Sequence, residues 1–317
     1  MPNDQLIVDT LRCQDDTEIG YITLNSPETL NSLTLDMVNE ISDLLDQWEF
    51  DPKIKMILIS GAGEKAFCAG GDIRALYESM CSPEGPIFAE TFFESEYRLD
   101  YKIHNFPKPI VSILDGIVMG GGAGLMFAST FKIATERTRF AMPEIGVGLF
   151  PDVGFTSVIK DLPEGLGLYI MLTASQLNAS DMRFCNLVDS CLHHTKIEDF
   201  LLSVVKMAWH DDVNQNLTQL YSMLNSSSYL KGVENFPSSK IESELEKIQS
   251  MTNEDNLIRI IDNIMSNTTE DEWFKKGKES LMKGSPTSAH LIWLQHLNSS
   301  SLSLKEVFNF ELNLAIQ

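Results

Sequence analysis

The sequence is short of basic residues and contains no long apolar run. It has 24 Lys and Arg residues against 45 Asp and Glu residues, which gives a formal net charge of -21. Nucleic-acid phosphates require a basic surface, so we expect no nucleic-acid partner. No window approaches the roughly 18 apolar residues that a transmembrane helix needs, so we expect no membrane partner.

Cysteine is also scarce, and its spacing excludes the common cysteine-based sites. None of the five cysteines forms a C-x-x-C pair, and Cys185 and Cys191 have no partner His at the spacing of a zinc finger. This pattern predicts free thiols in a reducing compartment and no metal site. The N-terminal segment has neither a long apolar stretch nor an Arg-rich, acid-poor pattern, so we expect no targeting peptide and a cytoplasmic location.

The distribution of glycine divides the chain into two regions. Up to about residue 195, strand-like apolar runs lead into helical patterns through glycine turns, which predicts a mixed α/β fold with ligand sites at strand ends. Beyond that point glycine becomes rare and helical periodicity dominates. We therefore predict a ligand-binding core over 1–195 and a mainly helical C-terminal region over 196–317.

Two glycine-rich stretches stand where a strand is predicted to lead into a helix. The first is "AFCAGGDIR" and the second is "MGGGAGL". Neither is followed by the residues that a Walker loop or a dinucleotide fingerprint needs. Each alone is compatible with an ordinary turn or a close helix crossing. Together they can each supply one backbone N–H to a single carbonyl oxygen, which is the arrangement of an oxyanion hole.

The stretch "FAMPEIGVGLFPDVG" carries two carboxylates, Glu144 and Asp152, in apolar and glycine-rich surroundings. A carboxylate is costly to bury unless it is paired or used. Either these are solvated loop charges or they mark the site of the chemistry. For Asp152 a structural interpretation is also open, because Asp is a favoured N-cap and a helix is predicted to begin near Phe155.

These three stretches, in this order and spacing, resemble the crotonase (enoyl-CoA hydratase/isomerase) superfamily. Within it the chain is most similar to the branch of 3-hydroxyisobutyryl-CoA hydrolases, and the similarity covers nearly the whole chain. The resemblance implies a fold of repeated ββα units that binds an acyl-CoA. It also implies that Gly71 and Gly121 donate the oxyanion hydrogen bonds, that Glu144 and Asp152 are catalytic, and that Glu96 contacts substrate.

Departures from the family pattern help to choose the branch. Hydratases of this superfamily carry a glutamate shortly after the triple glycine, where this chain has Ala123 and Gly124. They also have glycine at the position of Asp152. Both differences favour the hydrolase branch. The hydrolases usually follow "PDVG" with a small residue and an aromatic pair, whereas "FTS" over 155–157 stands here, so we expect an acyl pocket of different size or polarity.

The resemblance implies hydrolysis of 3-hydroxyisobutyryl-CoA to 3-hydroxyisobutyrate and coenzyme A, a step of valine catabolism. Glu144 would attack the thioester or activate a water, and the residues leave both routes open. Coenzyme A is part of the substrate, so no cofactor is expected, and a homo-oligomer is possible. The alternatives are a hydratase or isomerase of the same superfamily and a non-catalytic assembly component. We expect structural roles for Cys68 and His104.

Overall fold

The computed structural model describes residues 4–226 and 235–316. Their strands are short, and most are followed by a helix, as the sequence predicts. The strands are β1 Leu6–Arg12, β2 Glu18–Leu24, β3 Ile54–Gly61, β4 Ala66–Cys68, β5 Ile110–Leu114, β6 Ile117–Met119, β7 Phe131–Ala134, β8 Arg139–Ala141, β9 Leu177–Asn178 and β10 Ser190–Cys191.

Helices make up most of the remaining chain. Short 3₁₀ helices cover Pro27–Thr29, Glu144–Val147 and His194–Lys196. The α-helices are α1 Leu35–Phe50, α2 Ile73–Ser79, α3 Gly85–His104, α4 Gly121–Ala128, α5 Phe155–Ile159, α6 Leu166–Thr173, α7 Ala179–Phe184, α8 Ile197–Val204, α9 Val213–Leu224, α10 Lys240–Thr252, α11 Leu257–Ser266, α12 Glu272–Lys283, α13 Pro286–Asn298 and α14 Leu304–Ala315.

The strands form two sheets. The larger has the order β1-β2-β3-β5-β7-β10 and is parallel except for the β1–β2 pair, and the smaller has the order β4-β6-β8-β9. The pairs β3/β4, β5/β6 and β7/β8 each place one strand in the larger sheet and the next in the smaller sheet, before a helix follows. This repeat confirms the predicted mixed α/β fold of ββα units.

The C-terminal region is mainly helical, as predicted, and it packs against the sheet-containing part. Helix α6 contacts α10, α12 and α13, and helix α14 contacts α3. Buried apolar residues from both parts of the chain belong to one hydrophobic cluster. The division at residue 195 stays a prediction. Within the ranges described above, no helix is both long and apolar enough to cross a membrane.

Candidate active site

One cavity of about 140 Å³ brings the predicted site residues together. Its wall includes all five of them, which are Gly71, Glu96, Gly121, Glu144 and Asp152. A larger cavity of about 850 Å³ is lined by α10 and by residues near α6 and α13, and it contains none of them. The smaller cavity is therefore the candidate active site.

The pairing of β4 with β6 places the two glycine stretches side by side. Gly71 follows β4, and Gly121 is the first residue of α4. A Cβ atom built on Gly121 would lie 3.3 Å from the backbone nitrogen of Gly71, so the two peptide units are neighbours. In the described part of the chain neither backbone N–H donates a hydrogen bond. Both donors are thus available to one oxygen atom in the cavity.

The preceding glycines shape this loop pair. Gly70 has φ +115° and Gly120 has φ +48°, conformations that residues with a side chain rarely adopt. A Cβ atom on Gly122 would lie 2.3 Å from the carbonyl oxygen of Cys68, so the start of α4 packs directly on the end of β4. The glycines therefore serve backbone geometry and close approach together.

Glu144 lies beside the glycine pair, at the start of the 3₁₀ helix that follows β8. Its side chain is buried, and its Oε2 has no hydrogen-bond partner among the described residues. A Cβ atom on Gly120 would lie 3.4 Å from its Oε1. Burial, with the charge of Asp152 as a further cause, raises the pKa of Glu144 well above 4.5. The interpretation of Glu144 as a solvated loop charge is wrong.

Asp152 faces the same cavity and has a fixed partner. Its Oδ2 accepts a hydrogen bond of 2.5 Å from the hydroxyl of Tyr97. Burial raises the pKa of Asp152 to about 6, and the Tyr97 hydroxyl opposes this rise. The residue is 9% exposed, so the alternative of a solvated charge is wrong here too.

The helix that begins at Phe155 is capped by a different acid. Glu311, on α14, accepts the backbone N–H of Gly154 at 2.7 Å and that of Thr156 at 3.0 Å. Asp152 contributes only its backbone oxygen, which accepts from the N–H of Phe155 at 2.9 Å. The interpretation of the Asp152 side chain as the N-cap is therefore wrong.

Helix α3 brings two more carboxylates to the site. Glu96 and Asp100 lie one turn apart, are 3% and 1% exposed, and Glu96 lines the cavity. Oε1 of Glu96 and both carboxyl oxygens of Asp100 have no partner among the described residues. Burial is the main cause that raises the pKa of each, followed by the charge of Asp152 for Glu96 and of Glu96 for Asp100. The alternative interpretation of Glu96, as a charge on a solvent-exposed helix face, is therefore excluded.

Asp100 and Val153 leave no room for a side chain at Gly124, one of the two positions that stand where a second glutamate is expected in hydratases. A Cβ atom on Gly124 would lie 2.4 Å from Oδ2 of Asp100 and 2.9 Å from the Cβ of Val153. Such contacts are too close for any side chain unless Asp100 moves. The carboxylate of Asp100 on α3 thus lies directly against Gly124 of α4.

The sequence reasoning missed Tyr97, Asp100 and Glu311. A signal for them was present, because each lies at helical spacing among the buried residues of its helix. Acidic residues in the apolar stripe of an amphipathic helix are buried, and a buried acid needs a partner or a use. The stripes of α3 and α14 could have been searched for this pattern.

The predicted difference in the acyl pocket is not found at residues 155–157. None of them lines the cavity. Phe155 packs against Phe127 and Phe140 in the core, and the Thr156 hydroxyl accepts a hydrogen bond of 2.9 Å from Gln295. Phe155 and Thr156 thus belong to the core and not to the cavity wall, and the expected difference in the acyl pocket stays a prediction.

The structural roles expected for Cys68 and His104 agree with their surroundings. Cys68 is fully buried, and burial raises the pKa of its thiol to about 12, which disfavours a nucleophilic thiolate. His104 ends α3 and packs edge-on against Phe308, and burial lowers its pKa to about 4. All five cysteines are free, as the sequence predicts.

Comparison with known proteins decides the family. The family model described as enoyl-CoA hydratase/isomerase matches residues 19–317. The chain belongs to the enoyl-CoA hydratase/isomerase family. Among solved structures of this family's fold, a carnitinyl-CoA dehydratase from Mycobacterium thermoresistibile has a TM-score of 0.83 at 29% identity, covering 98% of this chain and 84% of that one. An enoyl-CoA hydratase from Rhodobacter sphaeroides 2.4.1 has a TM-score of 0.81 at 25% identity, with the same coverage.

Curated members of the enoyl-CoA hydratase/isomerase family with similar sequences carry a hydrolase name. The protein named "3-hydroxyisobutyryl-CoA hydrolase, mitochondrial" of Danio rerio is 36% identical over 298 residues, which is 93% of this chain and 75% of that protein. Its namesake of Homo sapiens is 34% identical over 298 residues, or 93% of this chain and 74% of that protein. The similarity thus extends through both the sheet-containing and the helical parts.

Proposed function

We propose that this protein hydrolyses an acyl-CoA thioester, with 3-hydroxyisobutyryl-CoA of valine catabolism as its substrate. The observation that carries the proposal is the position of Glu144, whose buried carboxylate lines the same cavity as the free N–H groups of Gly71 and Gly121 and has its Oε1 next to Gly120. Thioester hydrolysis needs at least a nucleophile or base, such as a carboxylate, and an oxyanion hole beside it. The names of the fish and human relatives support the choice of substrate.

In the proposed reaction the thioester carbonyl oxygen accepts hydrogen bonds from the N–H groups of Gly71 and Gly121. Gly121 begins α4, so the positive end of that helix dipole also favours the developing oxyanion. Glu144 either attacks the carbonyl carbon, giving an anhydride that water opens, or removes a proton from an attacking water. The thiolate of coenzyme A leaves without a dedicated acid, because a thiol has a pKa of about 8.5.

We propose that Asp152 forms a hydrogen bond either with the acyl group of the substrate or with the attacking water. Its carboxylate is held in one orientation by the Tyr97 hydroxyl, which leaves its other oxygen for the 3-hydroxyl of the substrate or for a water. Glu96 contacts substrate in this proposal, since its Oε1 lies over the peptide of Gly121. Tyr97 acts through Asp152 and is a positioning residue.

A hydratase is the second candidate, and one observation favours it. Glu96 supplies a third carboxylate to the cavity, although no carboxylate follows the triple glycine. Hydratases of this superfamily use two glutamates to hold one water, and Glu96 with Glu144 would be such a pair. The products separate the two functions, because only a hydrolase releases free thiol. A non-catalytic role is disfavoured, because a scaffold has no use for buried, unpartnered carboxylates at a cavity.

The test is a panel of acyl-CoA thioesters assayed for thiol release with a chromogenic disulfide, and for loss of enoyl absorbance. The panel contains 3-hydroxyisobutyryl-CoA, unsubstituted isobutyryl-CoA and crotonyl-CoA. The proposal predicts thiol release that is fastest with the hydroxylated substrate. Hydration of crotonyl-CoA without thiol release would establish the second candidate instead.

Three further expectations belong to this proposal. A cytoplasmic location stays a prediction, and the relatives' names include the word mitochondrial, so fractionation of cells that make the tagged protein decides between the compartments. We also propose that the reaction needs no cofactor, which turnover in the presence of a chelator tests. A homo-oligomer stays a prediction, which light scattering after gel filtration tests.

A further inference from the structure

Two histidines and a glutamate meet at one edge of the larger sheet, and none of them lines the candidate active site. Strands β7 and β10 are parallel neighbours, with Ala134 paired to Cys191. Glu136 follows β7, and His193 and His194 follow β10. Because parallel strands end at the same edge of a sheet, side chains that are far apart in sequence come together here.

The three side chains converge on one point. Nε2 of His193 lies 3.3 Å from Oε1 of Glu136, and Nδ1 of His194 contacts the same oxygen. The three atoms all lie within 4.8 Å of one another. One imidazole is enough to pair with a carboxylate, so the turning of two adjacent histidines toward one oxygen needs a further explanation.

Further hydrogen bonds orient two of these three groups, His193 and Glu136. Nδ1 of His193 lies 2.9 Å from the hydroxyl oxygen of Thr195 and 3.4 Å from its backbone nitrogen, so Nε2 faces inward; with a metal on Nε2, Nδ1 donates to that hydroxyl and gives up the backbone N–H. Oε2 of Glu136 accepts the backbone N–H of His194 at 2.9 Å, which leaves Oε1 facing inward. Metal-binding histidines and carboxylates are commonly oriented by such second contacts.

We propose that Glu136, His193 and His194 form a binding site for Zn²⁺. The ligands are Oε1 of Glu136, Nε2 of His193 and Nδ1 of His194, with a water in the fourth position. Zinc–ligand bonds of about 2.0–2.1 Å place neighbouring ligands of a tetrahedral ion about 3.4 Å apart. The separation of 3.3 Å between Nε2 of His193 and Oε1 of Glu136 fits this value, whereas Nδ1 of His194, which contacts the same oxygen, has to move away from it when the metal binds.

The surroundings are compatible with metal entry. The side chains of His193, His194 and Glu136 are 35%, 34% and 19% exposed, so the site is open on one side to water. The metal would replace the direct hydrogen bond between His194 and Glu136, and the neutral imidazole of His194 would then carry its proton on Nε2 instead of Nδ1. It would tie the segment after β7 to the segment after β10, and its role is structural because no substrate group of the proposed reaction is placed there.

The test uses the full-length protein stripped of metal with a chelator and then titrated with Zn²⁺ by calorimetry. The proposal predicts one zinc per chain, bound with a micromolar or smaller dissociation constant, and a higher melting temperature in the presence of Zn²⁺. Co²⁺ in the same site should give the visible absorption of a tetrahedral complex. Saturation with Co²⁺ without that spectrum, or no zinc binding by calorimetry at micromolar concentrations of protein and metal, contradicts the proposal.

Matched variants locate the site. His193→Gln changes a partly exposed side chain and should weaken zinc binding at least tenfold, and Glu136→Gln should do the same. His290→Ala, on the exposed face of α13, is the control and should bind zinc like the wild type. Equal zinc binding by His193→Gln, Glu136→Gln and His290→Ala overturns the proposal, whatever the stability of each variant.

Discussion

Oε1 of Glu96 occupies the space in which a side chain on Gly121 would begin, because a Cβ atom built there would lie only 2.1 Å from it. The carboxylate of one helix is thus packed on the first peptide unit of another, beside the proposed oxyanion hole. This contact makes the absence of a side chain at Gly121 a requirement of the site itself.

Gly121→Ala should therefore lower turnover sharply while the protein stays folded. The new methyl group displaces Glu96 and narrows the approach to both N–H donors. We expect a loss of about 10²–10³-fold in kcat, comparable to the loss of one oxyanion donor. Thiol release from 3-hydroxyisobutyryl-CoA measures it. Gly146→Ala is the matched control, since a Cβ atom there meets nothing within 4 Å, and it should keep wild-type turnover. Equal turnover of the two variants would remove the proposed role of Gly121.

Glu144→Gln should abolish most thiol release, because it keeps the shape of the side chain and removes the nucleophile or base. A loss of about 10²–10⁴-fold is expected. The melting temperature should be unchanged or higher, since the variant removes a buried acid without a partner. Glu164→Gln, at an exposed glutamate, is the control. Wild-type turnover in a folded Glu144→Gln protein would contradict the assignment.

The turnover of the wild type should also depend on the protonation of Glu144. Because burial raises its pKa well above 4.5, the acid is protonated at a pH where an exposed glutamate is already charged. The carboxylate is the active form, so kcat/KM should rise with pH, with an apparent pKa above 4.5. That pKa belongs to the cluster that Glu144 forms with Asp152 and Glu96. A pH profile that is flat from pH 5 to pH 8, with no change in the rate-limiting step, would argue against Glu144 as nucleophile or base.

Asp152→Asn should affect hydroxylated and plain substrates differently. If Asp152 holds the 3-hydroxyl, kcat/KM should fall by a larger factor for 3-hydroxyisobutyryl-CoA than for isobutyryl-CoA. Tyr97→Phe removes the hydroxyl that orients Asp152, so it should produce the same substrate preference in weaker form. Equal losses on both substrates would leave Asp152 only the role of orienting water.

Stability should fall as pH rises, because buried acids hold their protons longer in the folded state. Burial raises the pKa of Asp152 from 3.8 to about 6, and burial raises that of Glu311 from 4.5 to about 8. A raised pKa contributes stability that is fully present below the unfolded value and is lost as pH rises through the folded value. The melting temperature should therefore decrease between about pH 4 and pH 8. In Asp152→Asn the side chain still accepts the hydrogen bond from Tyr97 but no longer titrates. Its melting temperature should therefore depend less on pH in the acidic part of this range. An unchanged slope in that variant would exclude Asp152 as its source.

Glu311→Ala should loosen the start of α5, although Glu311 lies far from the motif in sequence. The change leaves the buried N–H groups of Gly154 and Thr156 without their acceptor, which costs about 1–3 kcal/mol of unfolding free energy for each group. Denaturant unfolding measures the loss. Lys305→Gln, on the exposed side of the same helix, should leave stability unchanged. A loss below about 0.5 kcal/mol for Glu311→Ala, the range of ordinary surface substitutions, would show that water replaces Glu311 as the cap.

The sequence predicted four of the residues that line the cavity, Gly71, Gly121, Glu144 and Asp152, because they lie in three local motifs with strong physical signals. Paired glycines are unusual next to strand ends, and acidic residues are unusual in apolar stretches. Such departures from local sequence preferences often indicate a functional site. Glu96 was assigned through the resemblance alone, since its surroundings in the sequence read as an ordinary amphipathic helix.

The sequence alone does not predict contacts between elements that are distant in the chain. Tyr97 on α3 bonds to Asp152, which lies 55 residues later in the chain, and Glu311 reaches Gly154 because α14 packs against α3 and α5. Glu136 and His194 meet through the register of β10 on β7. Each of these depends on how the layers pack, which local periodicity does not determine.

Hydrolysis at Glu144 is open to a direct comparison of two proteins and two substrates. Wild type and Glu144→Gln are compared with 3-hydroxyisobutyryl-CoA and crotonyl-CoA in the same preparations, while thiol release and enoyl absorbance are followed together. We expect the wild type to release thiol rapidly from the hydroxyacyl substrate and Glu144→Gln to release nearly none. Neither protein should hydrate crotonyl-CoA to a large extent. Efficient crotonyl-CoA hydration without thiol release by the wild type would contradict this expectation.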